Sequence, residues 1–522
     1  MTHFNTTTDD ADRRVAVIGA GPGGLVAARW LKQAGFIPVI FEAAPALGGQ
    51  WNPDAAGSGT WAGMRTNTSR VLTAFSDLDH APEVATYPRQ DQVLGYLEDY
   101  ARQFGLHAHL RLNCPVRRLA RRAAGGWTLQ VDAPQPQEHV FANVVVATGR
   151  HRSPVMPDVP GLQGFAGRLG LHHTTGYAGA QAYRGARVLV AGCSISALEI
   201  AADLATGGAA GVVASYRRQR YILPKLISGV PTDHIMFTRA AALAAEAMPF
   251  LVQMEGLKAK VLSVAGSPEQ FGARRPDPDI AVAGIAQSQG FLPAVAEGRI
   301  DVRPWIRAVA GRDVIFADGS KVAVDAILFG TGYDIALPFL DPDVACVLGL
   351  SPDGRGGALR LHAQTFHPDL DGLSFLGMFD LVGPYFPVLE LQGRWIARCL
   401  ADRGLRPSPA EMTGALSHWS PEAAGIAQPM QAAAIAFARR LGVDPELSAC
   451  PDLQRALCFG PLSPVSFRLC GPDALPDAAD RTLKAAACFG AIQGPECTPE
   501  ETAFLRRVLG EPAPAAPRLV EA

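Results

Sequence analysis

The sequence is poor in the features that mark secreted, membrane-spanning or nucleic-acid-binding proteins. Its nine cysteines lie far apart, none forms a C-x-x-C pair, and their number is odd. Neither a disulfide framework nor a zinc site is indicated, and a reducing compartment, the cytoplasm, is expected. The segment 1–14 is polar and carries Asp9, Asp10 and Asp12, so it lacks the basic and apolar regions of a secretory leader. No run of about 18 uncharged apolar residues occurs; the longest candidate, Ala240 to Met254, is broken by Glu246 and Pro249. A formal net charge of −2, with 18% charged residues and no long basic run, argues against a nucleic-acid partner. His107 and His109 have no evident third ligand, so no metal is expected. What is present is a 522-residue chain that is 48% hydrophobic, too long for one ordinary core and suited to two or three domains.

The most informative stretch is Val15-Ala-Val-Ile-Gly-Ala-Gly-Pro-Gly-Gly-Leu-Val-Ala-Ala-Arg29. Val15 to Ile18 read as a buried strand, and Leu25, Ala28 and Leu31 recur at helical spacing. Between them Gly19 permits a sharp turn, Gly21 lets the backbone approach a pyrophosphate, and Gly24 lets the helix pack closely on the strand, with the helix N-terminus facing the anion. A second strand, Ile37 to Phe41, ends in Glu42, about twenty residues on, where a carboxylate can accept hydrogen bonds from a ribose. Further along, Leu47-Gly-Gly-Gln-Trp51 offers a glycine pair and an aromatic side chain to a ligand, and Met64-Arg-Thr-Asn-Thr-Ser69 is a polar loop. A helix is expected over Gln92 to Phe104, and strands over Trp127 to Val131 and Val140 to Val146. The last of these ends in Ala147-Thr148-Gly149, a small turn able to lie against a cofactor.

The opening pattern returns in Arg187-Val-Leu-Val-Ala-Gly-Cys-Ser-Ile-Ser-Ala-Leu-Glu-Ile-Ala-Ala202, with Gly192, Ser194 and Ala197 at the three fingerprint positions. Ser194 narrows the approach to a pyrophosphate but brings a hydroxyl that can donate to it. The following strand, Gly211 to Tyr216, ends in Arg217-Arg218 rather than an acid, which suits a 2′-phosphate and argues for NADPH over NADH. A site with an acid and a site with arginines together imply one retained and one exchanged cofactor, FAD and NADPH. Ala326-Ile-Leu-Phe-Gly-Thr-Gly-Tyr333 is a second strand ending in a small turn, and with the proline-rich Ser153 to Gly161 it marks the two crossings between a flavin domain and an inserted one.

These residues resemble the flavin-containing monooxygenases, through most of the chain. Besides both glycine turns, the likeness takes in Gly48-Gly-Gln-Trp51, Thr66-Asn67, Phe329 to Tyr333 leading to Leu337-Pro-Phe-Leu340, Phe386-Pro-Val-Leu-Glu-Leu-Gln-Gly-Arg-Trp395, and Phe459 to Leu469 followed by Gly471-Pro472. The family signature, Phe-x-Gly-x-x-x-His with an aromatic four residues later, is met by Phe165, Gly167, His173 and Tyr177, with two extra residues before the histidine. The resemblance implies that Gly49, Gln50, Trp51, Thr66, Asn67, Thr148, Gly149 and Gln392 border FAD. It likewise implies that Tyr177 and Ser196 join Gly192, Ser194, Ala197, Arg217 and Arg218 at NADPH. Asn67 would hydrogen-bond the oxygenated flavin as the catalytic residue, and a helix starting near Leu389 would aim its N-terminus at the flavin pyrimidine, where it stabilises negative charge.

The expected architecture is α/β, with two Rossmann-like dinucleotide-binding domains and the NADPH domain inserted into the FAD domain. Its expected limits are a disordered 1–13, FAD domain 14–162, NADPH domain 163–330, the rest of the FAD domain with a C-terminal family segment at 331–510, and a disordered 511–522. The implied reaction is NADPH-dependent transfer of one oxygen atom from a C4a-hydroperoxyflavin to a nitrogen or sulfur nucleophile of a small molecule, with dioxygen as co-substrate. Tyr177, where Baeyer-Villiger enzymes of the first type typically carry Trp, favours heteroatom over ketone oxygenation. A Baeyer-Villiger oxygenase on the same scaffold and a non-catalytic nucleotide-binding redox protein are the alternatives. A disulfide reductase would want a cysteine pair near the first helix, and none is there. No membrane partner is expected, because the chain ends in Pro-Ala-Pro-Ala-Ala-Pro before a short polar tail rather than an apolar anchor. A homodimer is one option for the oligomeric state.

Overall fold

A computed structural model describes residues 13–133, 135–494 and 496–510. The expectations of disorder over 1–13 and 511–522 therefore fall, apart from Arg13, outside the described residues. Two five-stranded parallel sheets organise the molecule. In the first the strand order is Leu373–Phe375, Asn143–Val146, Arg14–Ile18, Ile37–Phe41, Leu110–Arg111. The second runs Ile300–Arg303, Gly211–Ser215, Arg187–Ala191, Ala326–Phe329, Leu171–His173. Parallel strands buried on both faces need continuous apolar runs, and Val15 to Ile18 and Val188 to Ala191 supply them.

The two units repeat one plan. In each, the strand that carries the glycine turn is followed by a helix, two further strands of the sheet, a three-stranded antiparallel meander, and a strand that returns to the other side of the turn-bearing one. The meanders are Val116–Arg121, Trp127–Asp132 and Pro136–Phe141 in the first unit, and Ile306–Ala310, Asp313–Phe316 and Lys321–Ala323 in the second. The single strand expected over Val140 to Val146 is therefore two strands. Phe141 closes the meander and Asn143 begins the parallel strand.

The second unit is inserted into the first, and the two crossings pair with each other. Tyr333 and Asp334 lie antiparallel to Pro154 and Ser153, and the Val155 N–H donates to the Gly332 carbonyl at 3.0 Å. His173 is buried with its ring 4.9 Å from that of Tyr333, so the signature histidine packs where the chain re-enters the first unit.

Helix Pro22–Gln33 lies between the first sheet and helix Phe386–Ala401. The latter begins three residues before Leu389 and is buried on nearly all sides. Its polar residues must then find partners inside the protein. Glu390 accepts from the Ser76 N–H at 2.7 Å and from its hydroxyl, while Arg394 donates to the Phe467 carbonyl and pairs with Asp473. Burial raises the Glu390 carboxyl and lowers Arg394 from their ordinary values. The guanidinium groups of Arg29, Arg394 and Arg468 all lie within about 5 Å of the Trp30 ring centroid.

Arg468 ties the C-terminal segment to this core. It donates to Ser76 Oγ at 2.7 Å and to Asp77 Oδ1 at 2.6 Å, with both charged side chains about 5% exposed or less. Arg468→Ala would leave Asp77 buried with only Arg29 for a partner, and should cost about 3–5 kcal/mol of stability. Urea unfolding checks this, and a loss below about 1 kcal/mol would show that the network is dispensable.

Candidate functional site

The first glycine turn has three distinct steric demands. Gly19 has φ +106°, and a Cβ there would sit 2.6 Å from the Ala147 carbonyl oxygen. A Cβ on Gly24 would lie 1.9 Å from the Gly19 carbonyl, so only glycine lets the helix approach. At Gly21 a Cβ would meet only Gly49, at 3.4 Å. The space above Gly21 is otherwise open, as a pyrophosphate would require. Helix Pro22–Gln33 has no side-chain cap and no acidic residue in its first turn, with Pro22 at its start. Its N-terminal dipole and free amides face this space.

Glu42 is buried at the end of the next strand, and its carboxylate accepts the Ala20 N–H at 2.7 Å and the Ala44 N–H at 2.9 Å. Each oxygen keeps a further lone pair for a ribose hydroxyl. Ala147, Thr148 and Gly149 follow the adjacent strand; Gly149 is exposed with φ +76°, and Thr148 Oγ1 is 3.8 Å from Met378 Sδ.

A chain of contacts leads from this turn to Asn67. The Gly48 N–H donates to the Ala20 carbonyl at 2.9 Å, and Gly49 packs against Gly21 so closely that a Cβ on it would clash. Gln50 is exposed, whereas Trp51 is buried and its indole N–H has no partner among the described residues. Gln90, which the sequence did not single out, joins the next two pieces: its side-chain amide donates to the Trp51 carbonyl and its backbone N–H to the Met64 carbonyl. Thr66 is buried, with its hydroxyl donating to the Thr68 carbonyl at 2.7 Å. Asn67 is half-buried, yet its Oδ1 is inaccessible to water and lacks a hydrogen-bond partner among the described residues. A buried amide oxygen without a donor is costly, and a flavin N–H or hydroxyl is the kind of group that would relieve it.

At the second turn Gly192 has φ +134°, and a Cβ there would lie 2.3 Å from the Gly330 carbonyl. Ala197 occupies the third position; its Cβ fits because the facing residue, Gly330, has none. Ser194 caps helix Ile195–Thr206 without a side-chain capping bond, and its hydroxyl points 3.3 Å from the Gly330 carbonyl, so that contact competes with donation to a phosphate. Ser196 is exposed in the helix's first turn. Arg217 and Arg218 are exposed at the end of the adjacent strand, and neither has an acidic partner among the described residues. Arg217 lies over the Trp305 ring at 4.8 Å. Arg274, far away in sequence, donates to the Tyr216 carbonyl at 2.8 Å and adds a third cation to the cluster.

Two of the expected cofactor contacts are engaged by other groups of the chain. Gln392 is completely buried; its Oε1 accepts the Gly377 N–H, and its Nε2 reaches the Thr365 hydroxyl and the Phe375 and Gln364 carbonyls. Its side-chain amide thereby braces the loop before the helix. Tyr177 is buried, stacked on Tyr183 and edge-on to Trp61, and its hydroxyl donates to Asp203 at 2.6 Å. Burial raises its phenol, and its ring packs in the core of the second unit.

The sequence also gave no sign of the groups under the Asn67 loop. Asp233 accepts the Ser69 N–H at 2.6 Å, and His234 Nε2 is 3.0 Å from Ser69 Oγ. Both are almost completely buried. Desolvation pushes the Asp233 carboxyl up to about 6 and the His234 imidazole down to about 3, so the histidine is neutral at ordinary pH.

Two open glycine turns at helix N-termini, one beside a buried acid and one beside three arginines, define a flavoprotein of the two-dinucleotide class. The model of the Flavin-binding monooxygenase-like family matches residues 12–487, and the chain belongs to that family. It is an oxidoreductase, and FAD and NADPH, expected from the two turns, are the family's cofactors. Among curated relatives, flavin-containing monooxygenase 5 of Rattus norvegicus is 28% identical over 492 residues, covering 88% of this chain and 90% of that one. Dimethylaniline monooxygenase [N-oxide-forming] 2 of the same organism is 26% identical over 489 residues, covering 88% and 89%. The fold is shared with S-allyl-L-cysteine S-oxygenase from Allium sativum (TM-score 0.61, 22% identity, 95% of this chain and 98% of that one). It is shared equally with ε-caprolactone-bound cyclohexanone monooxygenase (TM-score 0.62, 19% identity, 82% and 97%). No helix among the described residues is long and apolar enough to cross a membrane.

The raised Asp233 carboxyl gives a pH prediction. Its folded-state pKa lies above the ordinary 3.8, so the folded protein holds this proton more tightly than the unfolded chain does. The stability from this group is complete below about pH 4 and is lost as pH rises through 6. Asp233→Asn should therefore be more stable than the parent at pH 7.5, by about 2–3 kcal/mol, and no more stable at pH 4. Urea melts at the two pH values check this; equal effects at both would show that Asp233 is ionised without cost.

Proposed function

We propose that the protein is an FAD- and NADPH-dependent monooxygenase that transfers one oxygen atom of dioxygen to a nitrogen or sulfur nucleophile of a small molecule. The observation that carries this reading is the partnerless, buried Oδ1 of Asn67, on a loop stitched through Gln90 and Trp51 to the first glycine turn. FAD bound at that turn supplies hydride acceptance and dioxygen activation, chemistry that side chains lack. The chain's own work is binding, orientation and exclusion of water. Gly19, Gly21, Gly24 and Gly49 make room for the FAD pyrophosphate, Glu42 takes the ribose, and Thr148 and Gly149 close the side of the cradle. Asn67 offers a donor and an acceptor at the reacting edge without itself taking a proton. Gly192, Ser194, Ser196 and Ala197 frame the NADPH pyrophosphate, while Arg217, Arg218 and Arg274 take its 2′-phosphate. The N-oxide formation in the name of one curated relative supports a heteroatom acceptor over a ketone.

Asn67→Ala should raise the hydrogen peroxide released per NADPH consumed by severalfold, with flavin content and melting temperature close to those of the parent. Unchanged coupling in a flavin-loaded variant would remove Asn67 from the site. The acceptor class is decided by offering a tertiary amine, a thioether and a cyclic ketone side by side: an N-oxide or sulfoxide supports the proposal, and a lactone alone favours Baeyer-Villiger chemistry.

Arg217→Ala and Arg218→Ala should each lower kcat/KM for NADPH by about 10- to 100-fold, the loss of a charge-assisted contact worth about 1.5–3 kcal/mol. NADH, which has no 2′-phosphate, should be little affected. Equal losses with both nucleotides would show that these arginines do not read the phosphate.

A further inference from the structure

Lys225 immediately precedes the hairpin Leu226–Pro231 of the inserted unit and reaches the Asn67 loop. A lysine this deeply buried needs a partner, and here it has one in each nucleotide unit. Its Nζ pairs with Glu199 at 2.6 Å, the two side chains being 9% and 21% exposed. The same ammonium donates to the Thr66 carbonyl at 3.3 Å. Glu199 belongs to helix Ile195–Thr206, whose N-terminus faces the second glycine turn, and Thr66 immediately precedes Asn67.

The lysine is held from several sides. Its backbone N–H donates to Gln289 Oε1 at 3.0 Å, and its carbonyl accepts from the Thr232 N–H at 2.8 Å and from the Tyr87 hydroxyl. Its ammonium stands 5.8 Å from the Tyr87 ring centroid. Eight residues on, the short helix Thr232–Met236 that follows the hairpin takes the other end of the loop, where Asp233 accepts the Ser69 N–H. The loop carrying Asn67 is thus gripped before and after that residue by a segment of the inserted unit. One of the two grips is shared with the helix at the NADPH site.

We propose that Lys225 is a positioning residue that couples nucleotide occupancy at the second glycine turn to the placement of Asn67. A nucleotide that orders helix Ile195–Thr206 fixes Glu199; Glu199 fixes the ammonium, and the ammonium fixes the Thr66 carbonyl. A rigid side chain with one partner in each unit is the physical requirement for such coupling. The inference rests on the assignment of Asn67 to the flavin edge made above.

The test uses the full-length, FAD-loaded protein and follows amide hydrogen exchange of residues 66–73 with and without NADP+. In the parent protein, saturating NADP+ should slow this exchange by about tenfold. Lys225→Met and Glu199→Gln should each lose most of that slowing while NADP+ affinity stays within about threefold, and both should release more peroxide per NADPH. Lys225→Arg, which keeps a cation, should restore at least half of the slowing. Should Lys225→Met fold poorly, Glu199→Gln reports the same link from its other end. Coupling through Lys225 is overturned if the parent shows no NADP+ effect on this segment, if both neutral variants keep it, or if the arginine variant behaves like the methionine one. Failure of the Asn67 assignment looks different: Asn67→Ala would stay coupled in oxygen transfer while the NADP+-dependent exchange still depended on Lys225.

Discussion

The fold rests on a contact that only glycine can make. A methyl group at Gly24 would lie 1.9 Å from the Gly19 carbonyl oxygen, so any larger residue would push helix Pro22–Gln33 off the strand. With it would go the free amides at the helix start. The second unit packs its helix by another route, leaving the methyl on Ala197 and removing the one opposite at Gly330. Steric demand, rather than a fixed order of residues, is what the two turns share, and this accounts for the altered fingerprint of the second.

From those two contacts outward, the structure draws distant segments onto one loop. Gln90 joins Met64, at the start of the loop, to Trp51, the inserted unit supplies Lys225 and Asp233, and the C-terminal segment brings Phe489 against His234 and Arg70. Phe489 does so with φ +63°, a conformation that a bulky side chain avoids unless its surroundings hold it there. A loop gripped by three parts of the chain is well suited to present an amide in a fixed direction, which is what electrostatic pre-organisation requires.

Local physics made much of this legible beforehand. The apolar runs, glycine turns and helical spacing of Val15 to Leu31 and Val188 to Leu204 act over a few residues, and the strand–turn–helix units follow from them. The meander was less readable because Phe141 and Asn143 are both compatible with strand, and only the pairing partner changes at Ala142. Gln392 and Tyr177 show a different limit. A motif places a residue near a cofactor but does not say which way its side chain turns, and here four backbone and hydroxyl groups claim the glutamine while Asp203 claims the tyrosine. Arg274, Lys225 and Asp233 were invisible for a third reason: their partners are tens to hundreds of residues away, and no local pattern marks them.

The proposed function requires two dinucleotides that react with one another, one retained and one exchanged. Anaerobic titration of the flavin-loaded protein with NADPH tests it most directly. The account predicts bleaching of the flavin absorbance by one equivalent of NADPH, with NADH much less effective. A bound flavin that stays oxidised under excess NADPH would contradict it.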